Sequence, residues 1–209
     1  MFEQKEKLAF YAKWFWNLFL LVVLSNLLGL VFNDLFIGDS IILNVLGSVV
    51  SLLGQFGYAV LLTIMARFAT NYAKAGKFYL YGALVVFVCE LAGLFVSLAE
   101  LATVVSLAGS VLSLYGQYHE LMTHKGLLSE VDEKLSIRWG SLWTWTLRCL
   151  ILMMISIPVM ILAVAVGGML SLVGSLGMLV ISIVKIVTLY QSAKCFKKMA
   201  VQLDSSSSL

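Results

Sequence analysis

Long apolar runs separated by short polar stretches dominate this chain of 209 residues. A helix needs about 20 mainly apolar residues to cross about 30 Å of hydrocarbon. Six runs reach or approach that length, at about 14–33, 41–66, 79–99, 101–122, 147–166 and 168–192. The pattern therefore predicts an all-α fold, a polytopic membrane helical bundle in which six transmembrane helices form three tandem hairpins.

The stretches between these runs divide the chain. Only the segment from Ser97 to Leu101 separates the third and fourth runs, and Gly167 and Gly168 separate the fifth and sixth, as a tight turn requires. We predict a cytoplasmic N-terminus at 1–13, a transmembrane domain at 14–198 and a disordered polar tail at 199–209.

The basic residues lie on alternate connections and so predict an orientation. Both chain ends and two of the connections carry Lys5, Lys7, Lys13, Arg67, Lys74, Lys77, Lys125, Lys134, Arg138, Lys194, Lys197 and Lys198. The other three connections carry Asp34, Asp39 and Glu100 instead. By the positive-inside rule, both termini are predicted to be cytoplasmic, in a cytoplasmic (inner) membrane.

Aromatic and basic residues near the span ends fit this orientation. All five tryptophans are predicted at headgroup level: Trp14, Trp16, Trp139, Trp143 and Trp145. The only cations inside apolar runs, Arg148 and Lys185, lie near the inner interface, where we expect both side chains to extend toward the headgroups.

Composition excludes several classes of function. The chain is 61% hydrophobic and 12% charged, which a soluble domain could not cover with polar surface. Its net charge of +3 comes from scattered clusters, so no nucleic-acid partner is predicted. Cys89, Cys149 and Cys195 fit neither a disulfide framework nor a metal site. No catalytic arrangement is recognisable, and we predict a protein that is not an enzyme and uses no cofactor.

An internal repeat supports the hairpin organisation. The segment 47–56, GSVVSLLGQF, recurs 62 residues later at 109–118 as GSVLSLYGQY, with seven of ten positions identical. A fainter copy at 172–175, LVGS, follows about 65 residues later. The copies lie in the second helix of each predicted hairpin, as expected if one hairpin unit had been duplicated.

The repeat also carries a stripe of small residues, spaced i, i+4 and i+7 so that they share one helix face. Such stripes let helix backbones approach closely in lipid. We predict helix packing at nine positions: Gly47, Ser51, Gly54, Gly109, Ser113, Gly116, Gly167, Ser171 and Gly174. Packing within one molecule is favoured over a homodimer seam, and the oligomeric state stays open.

Glu90 is the most informative polar residue, because it lies near the middle of the third span, where an ionisable group is expensive. We expect hydroxyls and amides from other helices around it, and a proton on its carboxyl group. The candidate polar site is Glu90, Ser110, Ser156, Asn26, Gln55 and Gln117. Two interpretations stay open: a neutral structural acid, or a group that carries protons or binds a solute.

The segment around His119 and His124 resembles a zinc-protease motif, but it does not have the required spacing. The two histidines are five residues apart and face different sides of a helix, so no metal site is predicted. Glu120 and His124, four apart, are expected to pair on one face. The surrounding polar loop 119–148 is predicted to be cytoplasmic and is the candidate surface for a protein partner.

Three segments carry a resemblance to known proteins: 118–124, YHELMTH; 127–139, LLSEVDEKLSIRW; and 189–196, LYQSAKCF. They resemble uncharacterised small multi-pass bacterial membrane proteins, which implies topology but no activity. In size and topology the chain is also similar to the substrate-binding subunits of energy-coupling-factor transporters.

Two functions follow from these patterns. We predict a non-enzymatic accessory or scaffold component whose main partner is the lipid bilayer. The alternative is a small-solute transporter or substrate-binding transport subunit that uses Glu90 at mid-membrane. A transporter requires a cavity lined by polar groups from several helices, whereas a scaffold requires a dry core of small residues.

Overall fold

The protein is all-helical. The computed structural model describes residues 2–31, 41–95 and 99–207, with the side chains of all but residues 2, 30, 31, 41–44, 90–95, 99–104, 106, 204, 206 and 207. Within these ranges the chain forms six helices and no strand: α1 Phe2–Val31, α2 Ile41–Met65, α3 Asn71–Phe95, α4 Ala99–Ser129, α5 Glu133–Leu162 and α6 Val164–Ser207.

The six helices pack as a closed ring. Each helix packs against its neighbours in sequence, and α1 also packs against α6. Neighbours are antiparallel: Glu6 of α1 pairs with Arg67 just after α2, and the ring of Tyr11 in α1 contacts that of Phe196 in α6. The starts of α1, α3 and α5 and the ends of α2, α4 and α6 therefore share one end of the bundle, the basic end, where the predicted basic clusters also lie.

The helices are longer at the basic end than the apolar runs indicate. The predicted loop 119–148 is helical apart from the turn at 130–132, where the Asp132 side chain accepts a hydrogen bond from Leu135 N at 3.1 Å and begins α5. Likewise, 2–13 belongs to α1 and 199–207 to α6, so the prediction of a disordered tail is wrong through Ser207. Met199 and Leu203 explain the last extension, because both pack against the core.

The connection between α5 and α6 is shorter than predicted. It is the single residue Ala163, rather than Gly167 and Gly168, which are the fourth and fifth residues of α6. A Cβ atom on Gly167 would lie 2.5 Å from the backbone of Met160. The absence of a side chain at Gly167 therefore lets the two helices approach directly after the turn.

Four of the helices are long and apolar enough to cross a membrane in their described parts: Glu3–Gly29, Val45–Met65, Glu133–Leu162 and Val164–Leu203. Large apolar side chains lie exposed along them; Leu162, for example, is 88% exposed and Met154 70%. In water this surface would promote aggregation, whereas lipid solvates it directly. The fold is therefore that of a multi-pass membrane protein.

The buried core lies at the basic end. Its members come from all six helices and include the fully buried rings of Tyr11, Phe15, Tyr72, Trp139 and Phe196. Away from this end, most of the large side chains of α5 and α6 face outward, as Ile161 and Val164 do. The basic end is thus the part of the bundle where large side chains hold the ring together.

Candidate functional site

A buried carboxylate lies inside the ring near the basic end. Glu120 of α4 is completely buried. The hydroxyl of Tyr58 in α2 donates a hydrogen bond to Glu120 Oε1, and that of Tyr79 in α3 donates to Oε2 at 2.6 Å. Lys185 of α6 completes the set, with Nζ 2.9 Å from Oε1 and 3.1 Å from Oε2. Four helices are thus joined through one carboxylate.

Lys185 does not extend toward the headgroups, contrary to the sequence-based expectation. Its side chain is only 17% exposed and points into the ring, where Nζ also lies 5.2 Å from the centre of the Tyr58 ring. A buried cation and a buried carboxylate are each costly alone and stabilise one another when they are paired and hydrogen-bonded. The pairing with Glu120 explains why Lys185 is tolerated inside an apolar run.

His124 extends the same cluster toward the basic end. It is fully buried, and its Nε2 lies 3.4 Å from Glu120 Oε1, while Nδ1 shares a hydrogen bond with the Tyr72 hydroxyl. His124 lies beyond the predicted span 101–122. Burial lowers the pKa of its imidazole and so favours the neutral ring. Phe15 and Trp139 contact the ring, with centroids 4.7 Å and 4.4 Å away. We call Tyr58, Tyr79, Glu120, His124 and Lys185 the Glu120 cluster.

The spacing of this cluster along the chain matches the sequence repeat. Tyr58 and Glu120 are 62 residues apart, which is the offset between the first two copies. Glu120 and Lys185 are 65 residues apart, which is the offset to the third. The sequence interpretation missed Tyr58, Tyr79 and Lys185, although adding the repeat offsets to Tyr58 gives Glu120 and then Lys185.

A cavity extends from the cluster away from the basic end. Its volume is about 680 Å³, and α1 and α2 form most of its wall. Tyr58 and Tyr79 lie at one end of it, and Ser113 of α4 contributes a hydroxyl. The remaining described lining consists of leucine, valine and glycine, with polar side chains at Ser25, Asn26, Ser51 and Gln55. We call this space the α1–α2 cavity.

The structure brings only part of the predicted polar site together. Asn26 and Gln55 both line the α1–α2 cavity, where Asn26 donates to Val22 O at 2.7 Å and Gln55 to Ser51 Oγ at 3.4 Å. Ser156 lies elsewhere, on α5, and donates to Met153 O at 2.6 Å. The Glu90 side chain lies outside the described residues.

The other two predicted polar positions lie in α4. Ser110 is exposed, and Gln117 is half-buried and does not line the α1–α2 cavity. The polar groups that meet around the cavity thus come mainly from α1 and α2.

The described glycines of the repeat lie against the preceding helix. A Cβ on Gly116 would lie 3.2 Å from Ala75 O in α3, and one on Gly109 would lie 3.1 Å from Gly82 O. Between α5 and α6, a Cβ on Gly174 would lie 2.5 Å from the side chain of Met153.

Between α1 and α2 the contact is with a side chain that can move, since a Cβ on Gly54 would meet only Ser25 side-chain atoms. Gly47, Ser51 and Ser113 line the α1–α2 cavity, whereas Ser171 lines a surface groove between α5 and α6. The described glycines therefore allow neighbouring helices to approach closely. Part of the stripe faces open space.

Two residues that were predicted at the membrane interface differ in their environments. Trp139 is fully buried among the helices, so its ring is not exposed to headgroups, and its Nε1 donates to Ser192 Oγ at 3.1 Å. Arg148, in contrast, is on the surface, and its guanidinium lies 4.8 Å from the centre of the Trp145 ring. Among the residues that the structure describes, no group of three His, Cys, Asp or Glu side chains could hold a metal ion.

Comparison of the chain with protein-family models, with curated proteins and with solved structures gives no match.

Proposed function

We propose that the protein crosses the cytoplasmic membrane six times, as three tandem hairpins with the basic end in the cytoplasm. The alternating helix directions and the basic residues gathered at one end support this orientation. The offsets of 62 and 65 residues within the Glu120 cluster support descent from one repeated hairpin.

Within this topology, we propose that the protein binds a small solute in the α1–α2 cavity as a transporter or a substrate-binding transport subunit, without enzymatic activity. The observation that carries the proposal is this cavity of about 680 Å³, which ends on Tyr58 and Tyr79. Its volume lies within the range of about 300–1,000 Å³ that is usual for ligand sites. Its outline, mainly apolar with a few hydroxyl and amide groups, is also typical of such sites.

The chemistry of the lining favours an uncharged solute. None of the described lining residues carries a charge. Glu120 and Lys185, which lie behind the two tyrosines, form an ion pair with each other. A charged solute would lose its hydration without gaining a counter-ion, whereas a neutral amphipathic solute could use Asn26, Gln55 and the serine hydroxyls.

Native mass spectrometry of protein purified from its own membranes in mild detergent tests this proposal. We expect a co-purifying uncharged small molecule, and Ser51→Leu should remove it by filling the cavity. Ser182→Leu is the matched control, because Ser182 is exposed on α6 and does not line the cavity. A solute retained by Ser51→Leu, or lost equally in both variants, would exclude the cavity as its site.

An accessory or scaffold role is the second candidate, and one surface at the basic end favours it. Ile137 is 59% exposed there, next to the exposed Lys134 and Arg138 near the start of α5. Protein interfaces combine an apolar centre with a polar rim, an arrangement that Ile137 and its neighbours could supply in part. A pull-down in mild detergent should then capture a specific protein, and Ile137→Lys should abolish capture while leaving solute binding unchanged.

A further inference from the structure

A second feature, separate from the α1–α2 cavity, lies on the outer surface of the bundle between α5 and α6. It is a groove of about 590 Å³. Its described lining consists of Arg138, Ser141, Leu142, Trp145, Arg148, Cys149, Leu152, Val173, Gly177, Val180, Ile181 and Val184. Two arginines thus border a channel that is otherwise mainly apolar.

The apolar part of the groove follows the helix axes. From Leu142 to Leu152 it extends ten residues along α5, or about 15 Å, which is half the thickness of the hydrocarbon core. On the α6 side, Val173 and Val180 remain more than half exposed. Gly177 lies between these two valines and packs against α5, since a Cβ atom there would lie 2.5 Å from Cys149 Sγ. The groove therefore has the shape and polarity to hold one acyl chain.

The two arginines lie toward the basic end of the groove. Arg148 is 14 residues before Leu162, the last residue of α5 (162 − 148), and so about 21 Å along the axis from that helix end. Its guanidinium lies over the ring of Trp145, one turn closer to the basic end. Arg138, further along, donates a hydrogen bond to the amide oxygen of Gln191. Both side chains are exposed, and none of the described lining residues is acidic.

We propose that this groove binds an anionic phospholipid, with its phosphate between Arg138 and Arg148 and one acyl chain along Leu152, Val173 and Val180. Guanidinium groups bind phosphate oxygens through charge-assisted and often bidentate hydrogen bonds. Basic pockets between membrane helices on the cytoplasmic side suit anionic headgroups for this reason. The adjoining apolar channel favours a lipid over a soluble phosphate, which has no acyl chain to place there. The two arginines disfavour an apolar helix of another protein, because such a helix would bury their charges.

The test uses the full-length protein in nanodiscs with equal amounts of dioleoylphosphatidylglycerol and dioleoylphosphatidylcholine, followed by native mass spectrometry of retained lipid. We expect selective retention of the phosphatidylglycerol. The double variant Arg138→Gln/Arg148→Gln should weaken retention by roughly tenfold or more, since each lost hydrogen bond between a guanidinium and the phosphate weakens binding by about tenfold. The matched control, Lys74→Gln/Lys77→Gln, removes two exposed cations at the same end and should retain lipid like the parent.

Two further measurements test the acyl-chain channel and the choice of lipid over a soluble phosphate. Val180→Trp, which fills the channel and keeps both arginines, should also lose the lipid, while glycerol 3-phosphate should not displace it from the parent. Melting of each variant in lipid-free detergent within a few degrees of the parent verifies folding. The proposal would be overturned if the arginine variant or Val180→Trp retained the lipid like the parent, or if the lysine control lost it equally. Displacement of the lipid by glycerol 3-phosphate, or a dimer that fills the groove, would also overturn it.

Discussion

At the basic end, six helices bring large aromatic side chains together around a buried ion pair, whereas α3 and α4 approach each other through small residues further along. Around Glu120, the ring is filled by side chains such as Tyr72 and Trp139. Where α3 crosses α4, a Cβ on Gly82 would lie 2.8 Å from Gly109 O, so backbone packs on backbone. The same helices are thus joined by two kinds of contact.

The difference follows from what each kind of contact costs. Polar groups at the basic end stabilise the ring only as a complete set, because any group that loses its partner remains buried and uncompensated. Close backbone approach depends instead on the absence of a side chain, and lipid competes for the same apolar surfaces. Substitutions at the basic end should therefore cause large losses of stability that are not additive. Elsewhere, the loss of stability should depend on the space around the substituted residue.

The largest effect is expected at Glu120. Glu120→Ala leaves Lys185 buried without its counter-charge and should lower the free energy of unfolding by about 3–5 kcal/mol. Denaturant titration in detergent, followed by circular dichroism, measures the loss. Glu6→Ala is the control: it removes the exposed partner of Arg67 and should cost less than about 1 kcal/mol.

The coupling within the pair can be measured separately. Adding Lys185→Met to Glu120→Ala removes the uncompensated charge, so the double variant should be more stable than Glu120→Ala alone. Simple addition of the two single-variant losses would mean that the two charges do not interact.

A smaller effect is expected at the hydrogen bond that holds Trp139. Ser192→Ala removes the acceptor of the buried indole N–H and should cost about 1–3 kcal/mol. Ser182→Ala, on the exposed face of the same helix, should leave thermal stability near that of the parent. Equal melting temperatures for all three proteins would show that the indole N–H finds another acceptor.

The effect of replacing a glycine by alanine on stability should depend on the space around that glycine. Gly116→Ala puts a Cβ 3.2 Å from backbone atoms of α3 and should destabilise the bundle by about 1–3 kcal/mol. Gly54→Ala meets only the side chain of Ser25 and should cost less. Gly126→Ala, with nothing within 4 Å, should be neutral or stabilise α4 by up to about 1 kcal/mol. Thermal melts of the three variants should give this order, and any other order would contradict the packing.

The smallest effect is expected at Glu90, whose role rests on the sequence alone. As a neutral structural acid, it should tolerate Glu90→Gln, while Glu90→Leu should cost about 1–2 kcal/mol of lost interhelical hydrogen bonding. Melting of both variants tests this. Loss of solute binding in Glu90→Gln at unchanged stability would instead assign a functional carboxyl group.

The length of the apolar runs correctly predicted an all-helical membrane protein. A helix needs about 20 apolar residues to cross the hydrocarbon, and runs of that length rarely occur by chance. Run length could not predict helix ends at the basic end. There the sequence of α4 turns polar near Glu120 and resembles a solvated loop, although the polar groups face one another inside the ring. Likewise, an isolated Lys185 in an apolar run suggests an exposed cation until its partner, 65 residues earlier, is known.

The sequence did contain a signal for the site. The repeat offsets relate Tyr58, Glu120 and Lys185, but these are three different residue types, and a search for identity passes over them. Burial shows the same relation one turn further on, where Leu62, His124 and Leu189 are each completely buried. Positions related by the repeat offsets are buried inside the same ring of helices, so their side chains can be complementary rather than alike.

The order in which the Glu120 cluster is synthesised has a consequence for biogenesis. Glu120 leaves the ribosome 65 residues before Lys185. At about 5–20 residues per second, the carboxyl group waits for seconds without its counter-ion. Until α6 inserts, the ring is open and its most costly group is uncompensated. A chain that is interrupted before α6 therefore leaves this acid without its counter-ion, a mark by which membrane quality control can separate unfinished copies from complete ones.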